Sequence, residues 1–599
     1  MTVDINSKIK DIYNTRVGKD LLDKILLQLG KESEFITNPL VGNVKLRSIQ
    51  KLVGRKLPDS FFDALLTLVN SDQLTEEEIQ EEKRQVIAPV EHAWWKEAVF
   101  YQIYPRSFCD ANGDGIGDLA GIISKLDYLE DLGVNALWLS PIYDSPMDDN
   151  GYDIRNYRKI LAEYGTMEEF DMLLDEAHKR GMRLIMDLVV NHTSDEHEWF
   201  QKALTDPEYE DYYFFRDKPN NWTSYFSGSA WKQFGDKYAL HLFSKKQMDL
   251  NWDNPKVRYA IYDMVNWWLD KGIDGFRLDV INFISKQEGL PDGDEVIAKM
   301  MGYCGVERYF YGPHLHEYLK ELRANTFDKY GAFSVGETPG VGMNMAKMLT
   351  GSQRKELDMI FSFDVLESPG HSRFDDYQYD LNYFKKYMID WMKHYGNNCW
   401  MSIFYNNHDN PRMVSKIGEP KYNTQIKKLL AGMQMTMKGT PFIFQGDEMG
   451  LENYQFNSID EINDVESKGY YKELCEKMSE KEAFKIILAG TREHARVLLP
   501  WNGSFKGQKV DPSILHFYRN MIKLRRQNPV LVYGDFRVID DLAEHFVYER
   551  YDDQNSFIID CNLGKSIKKG YFPEGYHQII THNRHPEMEP YEIRIWMKG

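Results

Sequence analysis

Two acidic residues stand at the ends of short apolar runs. One is Asp279, in Asp274-Gly275-Phe276-Arg277-Leu278-Asp279-Val280. The other is Glu337, in Phe333-Ser334-Val335-Gly336-Glu337-Thr338. Alternate residues of a strand share a face, so Arg277 falls on the side of Asp279. Its guanidinium would favour the ionised carboxylate. An ionised carboxylate aimed into a pocket acts as a nucleophile or an electrostatic stabiliser. Two carboxyls at the ends of separate strands are what hydrolysis of a glycosidic bond needs. Two more runs end in polar residues, Asn191-His192 and His408-Asp409.

A different chemistry is written in Asp110-Ala111-Asn112-Gly113-Asp114-Gly115-Ile116-Gly117-Asp118. Oxygen donors at alternating positions with interposed glycines suit a hard cation such as Ca²⁺. The donors would be Asp110, Asn112, Asp114, Asp118 and the Ile116 carbonyl. The loop begins like an EF-hand but lacks the terminal bidentate glutamate.

Positioning these groups takes a repeating frame. From Trp94 onward, eight short apolar runs alternate with helix-like segments: 99–104, 136–139, 184–190, 275–279, 333–335, 359–363, 401–405 and 441–444. Eight βα units predict a parallel (β/α)8 TIM barrel, whose active site lies at the strand C-termini. The polar residues sit at those ends. The link after the third run, residues 193–270, is long and rich in aromatic and turn residues, which marks a functional insertion. The sequence therefore divides into an N-terminal helical extension (1–90), a first part of the barrel (91–192), an inserted lobe (193–270), the rest of the barrel (271–528) and a C-terminal β domain (529–599). In the extension, Thr75-Glu76-Glu77-Glu78 opens a charged helical stretch, and Phe61, Phe62, Leu65, Leu66 and Val69 form an apolar face. No chemistry is legible there.

With 599 residues, the chain exceeds one compact core. Its net charge of −19 argues against nucleic acid and anionic membrane as partners. Five widely spaced cysteines without a CxxC pair predict free thiols. The first ten residues lack the apolar core of a signal peptide, and no run is long enough to cross a bilayer, so a cytoplasmic location is the default expectation. Oligomeric state is not legible.

The motifs resemble those of glycoside hydrolase family 13, the α-amylase superfamily, and within it the oligo-1,6-glucosidase (isomaltase) branch. The matching segments are Gln102 to Phe108, Asp149-Asn150-Gly151-Tyr152-Asp153, Asp187 to Ser194, Gly275 to Lys286, Val335 to Thr338 and Asn406-Asn407-His408-Asp409. The resemblance implies a retaining exo-α-glucosidase for short α-1,6-linked gluco-oligosaccharides. Asp279 would be the nucleophile, Glu337 the acid/base, and Asp409 the third carboxylate, which stabilises the transition state. It further implies that His192, His408 and Arg277 bind substrate, and that Asp149 and Tyr152 close the pocket on the terminal sugar. Arg496 would pair with Asp149, and Phe243 and Gln247 would reach in from the inserted lobe. Val280 implies α-1,6 preference, and the Asp110–Asp118 loop implies structural Ca²⁺; no organic cofactor is implied. Val497-Leu498-Leu499-Pro500-Trp501 departs from the family's Thr-Pro-Met-Gln-Trp. Trehalose-6-phosphate hydrolase and sucrose isomerase or another transglucosylase remain alternatives, because the same residues serve them.

Overall fold

The computed structural model describes residues 2–28, 31, 34–53, 57–71, 74–505, 507–580 and 585–599. Eight parallel strands form the central sheet: β1 Phe100–Ile103, β2 Ala136–Leu139, β3 Arg183–Leu188, β4 Gly275–Leu278, β5 Phe333–Glu337, β6 Met359–Phe361, β7 Ser402–Ile403 and β8 Thr440–Phe444. They are hydrogen-bonded in the order β6-β5-β4-β3-β2-β1-β8-β7. The last gap, between β7 and β6, is bridged by the Ser402 hydroxyl, which donates to the Ile360 carbonyl (2.8 Å). β1, β2, β4 and β5 are buried at every position, as parallel strands covered on both faces must be. Inside the barrel Phe100, Phe333 and Phe442 stack, with Phe100 and Phe442 4.5 Å apart and nearly coplanar.

Gly275 is where β4 and β5 come closest. A Cβ there would lie 2.1 Å from the Phe333 carbonyl oxygen, so only glycine fits. This contact seats β4 beside β5 and brings their C-terminal ends to one rim.

The inserted lobe carries a small antiparallel sheet of Phe215–Arg216, Trp231–Phe234 and Lys237–Leu240. Gln247–Asp249 pairs with His192–Ser194 at the barrel rim. The lobe ends earlier than residue 270: the helix Pro255–Asp270 packs on the barrel, its Trp268 ring against Phe170 and Tyr143. At the C-terminus, five antiparallel strands, β9 Asp535–Asp540, β10 His545–Tyr551, β11 Ser556–Asn562, β12 Tyr576–Ile580 and β13 Ile593–Lys598, run in the order β9-β10-β11-β13-β12. Arg550 fastens this sheet to the barrel. Fully buried, it donates to the carbonyls of Thr436, Val530, Leu531, Val532 and Gly534.

The N-terminal extension is helical, with α1 Arg16–Gln28, α2 Asp59–Val69 and α3 Glu76–Val86 as its longer helices. α3 begins with a capping box: Glu78 N–H donates to the Thr75 hydroxyl and Thr75 N–H to the Glu78 carboxylate. Val3, Ile9, Ile12, Leu26, Ile36, Phe62 and Val69 form its own small core. It rests on α4, Met343–Thr350, the barrel helix that follows β5. Among the described residues, the five cysteines are unpaired and no helix is long and apolar enough to cross a membrane.

Candidate active site

The register pairs Leu278 of β4 with Gly336 of β5, which sets Asp279 level with Glu337 at the rim. Between them lies Arg277, 1% exposed. Its Nη1 contacts Asp279 Oδ1 at 2.6 Å and Asp187 Oδ1 at 2.7 Å, and its Nη2 contacts Glu337 Oε2 at 2.6 Å. One guanidinium thus holds both carboxyls. Val280 follows in the left-handed region at φ 35°, rare for a β-branched residue. The turn aims the Val280 N–H at Glu337 Oε2 (3.1 Å). Strain of this kind persists only where the surroundings enforce it.

Arg277 favours the ionised form of Asp279, as its place on the same face implies, but burial outweighs it. Burial pushes the Asp279 acid well above its ordinary value; Arg277 pulls it down, while Glu337 and Asp187 push it further up. Three buried carboxyls face one guanidinium, so full ionisation would leave uncompensated charge.

The remaining residues form a wall beside this pair. Tyr152 lies parallel to the His408 ring, 5.3 Å away, and its hydroxyl meets His408 Nε2 at 2.5 Å and donates to Asp187 Oδ2 at 3.1 Å. His408 Nδ1 lies 2.7 Å from Gln102 Nε2, and its Nε2 lies 3.0 Å from Asp409 Oδ2. Burial opposes ionisation of Asp409, yet His408, Arg492 and Arg496 hold it well below the usual carboxylate range. Asp409 is therefore a fixed anion that can grip sugar hydroxyls or stabilise positive charge on the ring.

Arg496 is in the site, but its partner differs from the expected one. Its Nη2 pairs with Asp409 Oδ1 (2.8 Å) and its Nε donates to the His408 carbonyl (2.9 Å). Arg492 takes Asp149, at 3.0 Å, and also reaches Asp409 at 3.2 Å and Asp464 at 2.5 Å. The two arginines lie on either side of a short turn, Arg492–Ala495. Asp464 anchors Arg492 in the position facing Asp149. Burial lifts Asp149 to about 7 against the pull of both arginines.

From the lobe, Gln247 Nε2 donates to Asp149 Oδ2 (3.0 Å) and lies 3.1 Å from His192 Nε2. Burial lowers His192 to about 4, so it is a neutral hydrogen-bonding ring at neutral pH. Phe243 lies 5.3 Å from the His192 ring and stacks on Tyr225, which in turn meets Tyr303 at 3.9 Å and Phe283 at 5.6 Å. These rings belong to one apolar cluster with Val280.

The Asp110–Asp118 loop is separate from this site. Asp110 accepts from the amides of Gly113 and Gly115, Asn112 from Asp114, Asp114 from Ile116, and Asp118 from Ala111 and Gly121. Its oxygen-only donor set suits a hard cation. Among the described residues, no three His, Cys, Asp or Glu side chains converge as a metal site.

Sequence reasoning overlooked Asp187, Arg492, Asp464 and Gln102 as site residues. Asp187 and Gln102 lay within the motifs already noted, and Arg492 four residues before Arg496 carried the helical-turn signal. Asp464 carried none, because its role exists only through Arg492.

The α-amylase catalytic-domain model matches residues 102–534. The oligo-1,6-glucosidase of Bacillus cereus is 44% identical over 546 residues, covering 84% of this chain and 97% of that protein. That of Parageobacillus thermoglucosidasius is 46% identical over 525 residues, covering 81% and 93%. Among solved structures, the trehalulose synthase MutB from Pseudomonas mesoacidophila MX-45 is similar with a TM-score of 0.78 at 38% identity, covering 85% of this chain and all of that one. With two carboxyls on one guanidinium at the rim of an eight-stranded barrel, and with these matches across the barrel, this chain belongs to the α-amylase family of glycoside hydrolases.

Proposed function

We propose that the protein is a retaining exo-α-glucosidase that hydrolyses short α-1,6-linked gluco-oligosaccharides of the isomaltose type. The observation that carries this reading is the Arg277 bridge, which holds Asp279 and Glu337 side by side at the rim of the barrel. In the first step Asp279 attacks the anomeric carbon while Glu337 protonates the departing oxygen. In the second, Glu337 takes a proton from water and the glucosyl ester is hydrolysed with net retention. Productive separation of a retaining pair is about 5–5.5 Å. Asp409 and Arg277 supply opposite fixed charges beside the ring.

Exo action is supported by the buried Asp149–Arg492–Asp464 ion-pair chain, as a closed end of the site would require. The 1,6 linkage is supported by Val280 and by the names of the similar curated proteins. The test is a comparison of isomaltose, maltose, sucrose and trehalose 6-phosphate as substrates. Isomaltose should give the highest kcat/KM with α-glucose released first. Sucrose converted mainly to an isomer would favour transglucosylation instead, as named for the solved structural relatives.

We also propose that the Asp110–Asp118 loop takes Ca²⁺. Its alternating oxygen donors support this. Calcium added to chelator-treated protein should raise Tm and give a saturable calorimetric isotherm; Asp114→Ala should abolish both.

A further inference from the structure

The polypeptide that leaves Glu337 is held from outside the barrel. Thr338 to Gly342 leads directly into α4, and the N-cap of α4 is Gly342, which has no side chain to accept from the first turn. The first amides of a helix need such an acceptor. Asp20, on α1 of the N-terminal extension, provides it. Its Oδ2 accepts from the Met345 N–H (2.7 Å) and its Oδ1 from Asn344 Nδ2 (2.8 Å). Asp20 is only 7% exposed. The fit requires glycine at 342, because a Cβ there would lie 2.7 Å from Asp20 Cγ and 2.8 Å from its Oδ2. One helical turn on, Lys24 donates to the Gly340 carbonyl and pairs with Asp364 (3.0 Å). Gly340 itself is in the left-handed region at φ 80°, with the Phe310 ring 2.9 Å from where its Cβ would be.

The extension has a second hold on the same side. The Ser60 hydroxyl donates to Asp294, which caps the helix Glu295–Met301. Phe61 and Ala64 of α2 pack against the cluster that contains Val280, Phe283 and Tyr309. The extension therefore touches both the segment after β5, through α1, and the apolar cluster that contains Val280, through α2.

We propose that Asp20, assisted by Lys24, is a positioning residue for acid catalysis: by capping α4 from the N-terminal extension it fixes the segment after β5 and hence the reach of Glu337 to the departing oxygen. This rests on the reading of Glu337 as acid/base. Small displacements of a reacting group are costly, on the order of a hundredfold for 1 Å. The role has a signature that general destabilisation lacks. A sugar leaving group needs the proton, whereas a dinitrophenolate does not.

The experiment measures kcat/KM, which reports the first step alone, for isomaltose and for 2,4-dinitrophenyl α-glucoside, at a temperature well below each variant's Tm. Asp20→Ala should slow isomaltose by about ten- to a hundredfold while leaving the activated substrate within about twofold. Asp20→Asn keeps an acceptor for the Met345 amide and should restore isomaltose turnover to within about threefold. Glu337→Gln is the reference and should discriminate between the substrates more strongly. If Glu337→Gln slows both substrates alike, the acid/base reading itself is wrong. If it discriminates and Asp20→Ala does not, the positioning role of Asp20 is wrong. Gly342→Ala intrudes on Asp20 from the opposite side and decides the matter should Asp20→Ala fail to fold. The same discrimination is expected there, and a folded Gly342→Ala protein without it overturns the proposal.

Discussion

On the proposed mechanism Asp279 has no substitute, since Glu337 is given the role of acid and Asp409 is paired with Arg492 and Arg496. Asp279→Asn keeps its size and can still accept from Arg277, so the fold should survive. Turnover of a chromogenic α-glucoside should fall by at least about a thousandfold; a smaller loss with unchanged Tm would remove Asp279 from the nucleophile role. Val280 makes a different prediction. Its left-handed backbone is strained for valine and comfortable for glycine. Val280→Gly should fold well, widen the leaving-group side and lower the isomaltose-to-maltose kcat/KM ratio by about tenfold. Asp149 gives a pH dependence. Burial raises it to about 7, so it is mostly neutral below that pH and anionic above. The anion is the stronger hydrogen-bond acceptor for a sugar hydroxyl. KM for isomaltose should therefore rise as pH falls from 8 to 6, and a KM flat across that window would contradict this titration.

At the scale of elements, much of the barrel was legible. Parallel strands covered on both faces read as short apolar runs, and Ala136–Leu139 appears with the expected limits. The seventh strand shrinks from the expected 401–405 to Ser402–Ile403, because it lies at the barrel seam and pairs on one side only. The grouping of Asp279, Glu337 and their neighbours at one rim was legible because strand ends put these residues in contiguous motifs. The partner of Asp149 was not. Two arginines four residues apart are equivalent in sequence, and the choice between them is made by Asp464 from another segment. The protonation of Asp279 was also beyond reach, since it depends on Asp187 and Glu337 crowding the same guanidinium. Gly275 was quoted for its motif, yet its reason is the approach of β5. Gly275→Ala should cost about 3 kcal/mol or more, since the contact is with backbone. Calorimetry would show this as a lower Tm, and an unchanged Tm would mean that β4 and β5 can separate.

Across the whole molecule, the units are joined by buried polar groups as well as by apolar contact. Arg550 serves six carbonyls between the barrel and the C-terminal sheet, that of Asp535 included. Arg550→Met would strand those oxygens and cost about 3–5 kcal/mol. A single thermal transition in the parent protein should become two, with the C-terminal sheet melting first; one unshifted transition would show that the joint is not mechanical. The N-terminal helices were readable as amphipathic, but their docking was not, because Asp20 looks like any polar helical residue until α4 is seen without a cap of its own.

The Arg277 fork carries a wider consequence. Because both acids are hung from the same rigid, planar ion, their separation is inherited from the dimensions of one functional group rather than from the backbone around it. Drift in the layers beneath the barrel rim can accumulate over evolutionary time without detuning the reaction, so long as that one cation keeps its seat. Arg277→Lys, nominally mild, would replace a two-pronged gauge with a single point charge and leave one of the acids unmeasured.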